Sequence, residues 1–330
     1  MKILVIGKKG RLKHYTKDLS RLDKYDIVYA EPGSSDDDIL EIGKDADFIL
    51  VDAISIVSRK VIEAMPNLKM IHSEGVAFNK IDTEAAKEKG VYVCNCKGMN
   101  ATAVAEQAIL LMLGLLRGVC TGDKAVREGR QMKVKESYMI NGSLKELRDC
   151  TIGFVGFGDI AKAAAKLANA FGSKVVYYDV FRANEEVEKA YDVTYMELDN
   201  LLAVSDIVSL HLPVTPETTH MANAEFFANM KEGSYFINTA RGELVDDKAL
   251  LEAIRCGHVA GAGLDTVTGE PITTDNVMLQ AEEEVENKII YSCHVGGITA
   301  SSFARGYEMF WSDLDLVAEG NRPEHIVNKL

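Results

Sequence analysis

Short apolar runs alternate with longer segments of helical period along the whole chain, as strands and helices do in a parallel α/β architecture. In the first hundred residues the strand runs are 3–6, 27–29, 48–51, 69–72 and 91–94, with polar helical stretches such as 58–65 and 83–89 between them. These predict one five-stranded domain. A long helix is predicted over 102–116, where Ala, Glu, Gln, Leu and Met run on without proline. The hydrophilic segment 121–147 reads as a surface excursion.

A second series begins at Thr151, with strands predicted over 152–155, 174–178, 207–210, 235–238, 261–264 and 289–292. A closing helix is predicted around 303–317 and carries the only tryptophan, Trp311. No internal repeat and no low-complexity tract interrupts the pattern. At roughly 150 residues per domain, a chain of 330 residues suggests two domains.

Composition narrows the partners. Lys and Arg number 37 against 50 Asp and Glu, a formal net charge of −13. Such acidity disfavours nucleic acid or an anionic membrane as the main partner, since both attract clustered Lys and Arg. It leaves room for anionic small molecules held by one well-placed arginine. The greasiest stretch, 108–116, falls far short of the roughly 20 residues a membrane span needs. The N-terminal apolar run leads straight into Lys8, Lys9, Arg11 and Lys13 without a cleavage site, so no secretory signal is expected. Six scattered cysteines form no disulfide framework, and the expected location is cytoplasmic. Cys94 and Cys96 have no matching Cys or His pair, so no metal is expected.

The most informative stretch runs from Thr151 to Ala161. An apolar strand enters Gly156-x-Gly158-x-x-Ala161 and then an alanine-rich helix over 161–170. Gly156 permits a tight turn, Gly158 lets the backbone approach a pyrophosphate, and Ala161 allows close helix–strand packing. The next strand ends in Asp179, about 20 residues on, where an acid can bond a ribose hydroxyl. Its charge would repel a 2′-phosphate, which favours NAD over NADP, although Arg182 nearby partly offsets that. The rival reading is an ordinary strand–helix turn.

Three further stretches fall at predicted strand ends: 238–242 with Arg241, 263–271 with Glu270, and 293–297 with His294. Ligands of open α/β sheets bind beyond the carboxyl ends of the strands, where these loops can converge. Taken singly, each is equally a solvated arginine, a surface carboxylate or a hydrogen-bonded histidine.

The chain resembles the D-isomer-specific 2-hydroxyacid dehydrogenases, the family of D-lactate, glycerate, glyoxylate and phosphoglycerate dehydrogenases. The resemblance spans nearly the whole chain and rests on separate motifs in one order: 75–82, the helix around 104–107, 156–160, 210–218, 238–246, 264–271 and 294–297. It implies two Rossmann-like or flavodoxin-like α/β domains with parallel sheets and an interdomain cleft. Residues 1–100 plus 295–330 would bind substrate, and 101–294 would form the NAD-binding Rossmann domain. The implied activity is NAD-dependent interconversion of a 2-keto acid and its D-2-hydroxy acid by hydride transfer. Arg241 is then the substrate arginine, Glu270 the histidine's partner and His294 the acid/base. A guanidinium holds a planar carboxylate bidentately, and histidine titrates near working pH.

The resemblance also implies coenzyme contacts from Gly156, Gly158, Asp159, Ile160, Asp179, Leu212, Pro213 and Thr218, with Thr239, Ala240 and Asp265 near the nicotinamide. The backbone of Glu74, Gly75 and Val76 would cradle the substrate carboxylate. A homodimer is implied, the helix after Asn100 packing against the partner. The chain departs from the family at Ala77 and Asn79, where Gly and Asp are usual, and at Ser292-Cys293 before the histidine. Cys293 reads as a small hydrophobe, with an oxidant-sensitive thiol as the alternative. Family members acting on 3-phosphoglycerate carry arginines where this chain has Asp52 and Ser73. An unphosphorylated substrate such as glyoxylate, hydroxypyruvate or pyruvate is therefore expected. The alternatives are a phosphoglycerate dehydrogenase, a formate- or phosphite-type enzyme, and a non-enzymatic NAD-sensing scaffold; Glu270 argues against the formate type, which resembles a version with Gln.

Overall fold

Every apolar run predicted as a strand is one in the computed structural model, which describes residues 1–330. The chain divides into two units, 1–100 with 298–330, and 101–297. The first holds β1 (Lys2–Ile6), β2 (Asp26–Ala30), β3 (Phe48–Val51), β4 (Met70–Ser73) and β5 (Tyr92–Cys94), paired in parallel in the order β2-β1-β3-β4-β5. β3 is buried at every position, which is why it reads as an unbroken apolar run rather than an alternating one, and β4 is equally buried although it ends in His72 and Ser73.

The period of two sorts the side chains into two layers. Leu4, Ile6, Ile49 and Val51 join one core with Val61, Ile62 and Ala85. Ile3, Val5, Phe48 and Leu50 join the other, with Phe310, Trp311 and Leu314 of the closing helix Ala300–Ala318. A capping box between Thr299 and Ser302 starts that helix. Trp311 is fully buried, and its indole N–H donates to Thr16 Oγ1 at 2.9 Å.

Beneath this helix lies a buried charge cluster. Asp313, fully buried, sets Oδ2 3.3 Å from His72 Nε2 and 2.9 Å from His325 Nδ1, while Oδ1 accepts the Glu324 N–H at 2.8 Å. Burial works to raise its pKa, but the bonds from His72 and Glu324 and the two imidazoles hold it below the ordinary aspartate value.

The second unit carries β6 (Thr151–Val155), β7 (Lys174–Tyr178), β8 (Thr194–Tyr195), β9 (Ile207–Leu210), β10 (Ser234–Asn238), β11 (Val259–Leu264) and β12 (Ile289–Tyr291). All pair in parallel in the order β12-β11-β10-β9-β6-β7-β8, so the direction of winding reverses between β6 and β9. Only β8 escaped the sequence pattern: it is an edge strand of two residues. The helices Ala101–Leu116 and Asp159–Phe171 cover one face, and Ala161, Ala164, Ala165 and Ala168 are fully buried between helix and sheet.

The expected surface excursion is two helices, Val119–Arg127 and Gln131–Asn141, the second ending at a left-handed Gly142. It hid from the pattern because Val126, Met132, Met139 and Ile140 are exposed and form no core face. The second unit also runs three residues beyond the expected boundary at 294, to Gly297. Residues 294–296 stay with it because their amides bond to Asp265.

A depressed carboxyl pKa contributes stability that is complete above the unfolded value and disappears as the pH falls through the folded one. Asp313→Ala should therefore lower the urea stability of the first unit by about 3 kcal/mol near neutral pH and flatten its acid limb. The single tryptophan, Trp311, reports that unit directly by fluorescence.

Candidate active site

The turn after β6 is built for close approach. Gly156 has φ 93°, and a Cβ there would sit 2.5 Å from the His211 carbonyl oxygen, so only glycine fits. At Gly158 a Cβ would meet nothing within 4 Å. This residue is the N-cap of helix Asp159–Phe171 and offers no side chain to the first-turn amides, including those of Asp159 and Ile160. Phe157 stacks on Tyr177 with centroids 4.1 Å apart and anchors the turn from below.

Asp179 follows β7 directly. Its Oδ2 accepts the Phe157 N–H at 2.7 Å and its Oδ1 the Phe181 N–H at 2.9 Å, which fixes the carboxylate at the rim of the turn. Arg182 does not offset it. That guanidinium donates to both oxygens of Glu188, at 2.8 and 3.1 Å, and lies 5.0 Å over the Tyr195 ring.

Leu212 and Pro213 lie on the loop after β9, and the Leu212 side chain closes over the place a Gly156 Cβ would take. Thr218 shapes that loop: its hydroxyl donates to Pro213 O at 2.8 Å and accepts the Thr215 N–H at 2.8 Å. Its proton is thus committed within the chain. Thr239 is 6 % exposed with a buried hydroxyl that has no partner, and Ala240 beside it is 9 % exposed. A close-approach glycine, open space at Gly158, an acid at the end of β7 and an orphaned hydroxyl after β10 together fit a dinucleotide.

The three loops expected to carry chemistry are locked together. At the end of β10, Asn238 accepts the Ala240 N–H at 3.0 Å and donates to Arg241 O at 2.8 Å. A Cβ on Gly242 would fall 2.2 Å from the Val267 carbonyl carbon, so this loop lies flat against 267–268. Thr268 Oγ1 donates to Gly242 O at 3.1 Å. The Arg241 side chain is exposed, donates only to its neighbour's carbonyl, Ala240 O, and has no carboxylate partner.

Glu270 spends one oxygen on the Val267 N–H at 2.9 Å and turns the other to His294 Nδ1 at 2.5 Å. A carboxylate only accepts, so Nδ1 carries the proton and Nε2 is left to exchange one with a ligand. His294 itself has φ 54°. Its backbone is held by Asp265, which is 2 % exposed: Asp265 O accepts the His294 N–H at 2.9 Å, Oδ1 takes Ser292 Oγ at 2.6 Å and Val295 N at 3.0 Å, and Oδ2 takes Gly296 N at 2.9 Å. Gln107 Nε2 in turn donates to Ser292 Oγ at 2.9 Å. Asp265 is thus a holder of the histidine loop. Cys293 is exposed.

In the first unit, the loop after β4 has an unusual balance of donors. Its carbonyls are spoken for: Gly75 O accepts Cys96 N at 2.9 Å, Val76 O accepts Asn95 Nδ2 at 2.7 Å, and Ala77 O accepts Ser73 Oγ at 2.6 Å. The amides of Val76 and Ala77 have no partner in the chain, and that of Gly75 reaches only Ser73 Oγ at 3.3 Å. Free N–H groups without competing carbonyls suit an anion. Glu74 corrects the expectation, because its amide continues the sheet ladder to Val51 O at 2.7 Å and is not free. Its carboxylate is bound by Arg11 and Tyr307, neither of which the motifs signalled. Burial pushes the Glu74 carboxyl up, against the pull of those two partners.

Comparison with known proteins identifies the family. The sequence model of the D-isomer specific 2-hydroxyacid dehydrogenase NAD-binding domain matches residues 109–296. The chain is 35 % identical over 295 residues to glyoxylate reductase of Thermofilum pendens, covering 89 % of this chain and 85 % of that protein. It is 34 % identical over 284 residues to hydroxypyruvate reductase of Thermotoga maritima, covering 86 % and 89 %. The NAD-complexed crystal structure of the D-isomer specific 2-hydroxyacid dehydrogenase from Lactobacillus delbrueckii ssp. bulgaricus superposes with a TM-score of 0.84 at 27 % identity, covering 99 % of this chain and 100 % of that one. The chain belongs to the D-isomer-specific 2-hydroxyacid dehydrogenases, oxidoreductases that use NAD to interconvert 2-keto and D-2-hydroxy acids.

Proposed function

We propose that this D-isomer-specific 2-hydroxyacid dehydrogenase acts on a small unphosphorylated 2-keto acid of the glyoxylate or hydroxypyruvate type, with Arg241, Glu270 and His294 as its catalytic residues. The observation that carries the reading is the 2.5 Å contact between His294 Nδ1 and Glu270, which leaves Nε2 facing outward. The names of the relatives, glyoxylate reductase and hydroxypyruvate reductase, support the substrate class.

Bound NADH supplies the hydride. Gly156, Gly158, Asp159 and Ile160 would hold its pyrophosphate, Asp179 its ribose, and Leu212, Pro213, Thr239 and Ala240 the length towards the nicotinamide, with Thr218 and Asp265 shaping the loops around it. Arg241 draws the substrate carboxylate into a bidentate pair and polarises the adjoining carbonyl. In the first unit, the Val76 and Ala77 N–H groups, with Gly75, are a set of donors suited to a carboxylate. His294 Nε2 gives its proton to the oxygen of the former carbonyl, and Glu270 stabilises the imidazolium before that transfer and takes no proton itself. In the oxidative direction the same nitrogen accepts the hydroxyl proton.

Two features disfavour a phosphorylated tail. Asp52 is buried, with Oδ1 accepting the Ile54 and Ser55 amides. Arg11, a basic side chain of the same unit, is already paired with Glu74. We further infer a homodimer; the helix Ala101–Leu116 expected at the contact is largely buried in its own unit, so the contact is placed on the helices Val119–Arg127 and Gln131–Asn141, where Met139 and Ile140 are 72 % and 83 % exposed.

NADH oxidation should be assayed against glyoxylate, hydroxypyruvate, pyruvate and 3-phosphoglycerate. Turnover of the first two well above the last is expected; a preference for 3-phosphoglycerate would overturn the substrate class, and NADH binding without any turnover would favour the sensing scaffold. His294→Ala should lower kcat by about 10²–10⁴ with NADH affinity retained, and undiminished turnover would remove it as the acid/base. Asp179→Ala should weaken NADH binding about tenfold while NADPH binding holds or improves, as read by fluorescence titration. Equal losses for both coenzymes would take Asp179 away from the ribose. Ile140→Glu should shift the sedimentation coefficient from dimer to monomer, and an unchanged value would place the subunit contact elsewhere.

A further inference from the structure

We propose that Glu74 is a positioning residue for the substrate, its side chain clamped by Arg11 and Tyr307 so that the amides of Val76 and Ala77 are held ready for the incoming carboxylate. The proposal rests on the keto-acid reading above. Glu74 lies immediately beyond β4, yet its side chain turns inward and is only 10 % exposed. Arg11, on the helix Arg11–Tyr15, donates to Oε2, and Tyr307, on the helix Ala300–Ala318, donates to Oε1. One carboxylate thus ties the start of the loop to two helices that lie 63 and 233 residues away in the chain.

The clamps are themselves fixed. Tyr307 is 2 % exposed, Tyr15 stacks on both Phe303 and Tyr307 at 5.1 and 5.8 Å, and the Arg11 guanidinium lies 5.7 Å over Phe303. A carboxylate at this depth is tolerated only when paired and hydrogen-bonded, and an apolar side chain would fill the same space without that requirement. The gain is geometric. Gly75 is a pivot with little torsional restraint, and with Glu74 anchored on one side and the three loop carbonyls tied on the other, the chain from 75 to 77 has one course. The gain is also electrostatic. Glu74 and Asp52 both place negative charge near donors meant for an anion, and Arg11 cancels the nearer one while the Ile54 and Ser55 amides engage the other.

The test uses the full-length enzyme, with glyoxylate and hydroxypyruvate as substrates, NADH affinity by fluorescence, and hydrogen exchange of the loop's bonded amides, those of Glu74 and Cys96. Glu74→Ala should raise KM for both keto acids about tenfold, with kcat within about threefold and NADH affinity unchanged. Tyr307→Phe should raise KM less, and Glu74→Gln, which keeps an acceptor oxygen and the side-chain shape, should return KM to near the wild-type value. Exchange of the Glu74 and Cys96 amides, which are bonded to Val51 O and Gly75 O, should quicken about tenfold in Glu74→Ala. Where Glu74→Ala does not fold, Tyr307→Phe carries the test, since it removes one hydroxyl only. Unchanged KM and unchanged loop exchange in folded variants overturn the proposal, as does a loss confined to kcat. A wild-type enzyme inert towards both keto acids, whose loop exchange still quickens in Glu74→Ala, overturns the substrate reading and upholds the clamp.

Discussion

The reactive end of the second unit hangs on the buried carboxylate of Asp265. A carboxylate withdrawn from water needs its lone pairs filled, and the donors within reach all belong to the chain leaving β12: the Ser292 hydroxyl and the amides of Val295 and Gly296. The main-chain oxygen of the same residue takes the His294 amide. Together these bonds draw residues 292–296 across the end of β11. His294 is thereby held at φ 54°, a conformation that costs an L-residue on the order of 1–2 kcal/mol. Hydrogen bonds to a charged acceptor contribute about 1.5–3 kcal/mol each, so the strain is readily offset. The imidazole then has one orientation open to it, with Nδ1 on Glu270. The position of His294 is set by a residue buried behind it, and Gln107, bonded to Ser292, extends that hold to the long helix Ala101–Leu116.

The net charge of −13 says little about how such a protein gathers anions. Charges on the solvated surface are screened beyond roughly 8–10 Å. What matters locally is which donors the fold leaves unspent. Several arginines elsewhere are committed: Arg11 to Glu74, Arg182 to Glu188, Arg255 to Glu252 and Glu282. Arg241 is not, and neither are the first-turn amides after Gly158 or the amides of Val76 and Ala77. Each of the three sets follows a strand of a parallel sheet, where helices and loops leave N–H groups pointing beyond the carboxyl edge.

The strands were legible because parallel sheets bury both faces and write continuous apolar runs, and β8 was not, because Thr194 and Tyr195 carry no such run. The glycine turn and the Arg241, Glu270 and His294 loops were legible because their residue types and order are local in sequence. Their supports were not. Gln107 meets Ser292 across 185 residues, and Tyr307 meets Glu74 across 233. No spacing rule links such pairs, and a serine or tyrosine in isolation has many equally good uses. The same holds for Asn238, whose side chain fixes the Arg241 turn at both ends. Motifs announce the groups that meet a ligand, while the groups that hold them in place become visible only once the chain is folded.

Coenzyme choice shows the difference at one position. From the sequence, Asp179 and Arg182 lie three residues apart with opposite consequences for a 2′-phosphate, and their balance is open. In the fold the two are not rivals. Asp179 is pinned by the Phe157 and Phe181 amides at the rim of the glycine turn. Arg182 is drawn away by a bidentate pair with Glu188, which also accepts the Tyr177 hydroxyl at 2.8 Å. A guanidinium held by a carboxylate on one side and an aromatic face on the other has little unspent charge for a phosphate. With Asp179 at the ribose, as proposed, the preference for NAD would rest on two acids, one placed to repel the phosphate and one that occupies the cation able to welcome it. Changing Asp179 alone leaves the second in place, so the repulsion can be removed without an attraction taking its place.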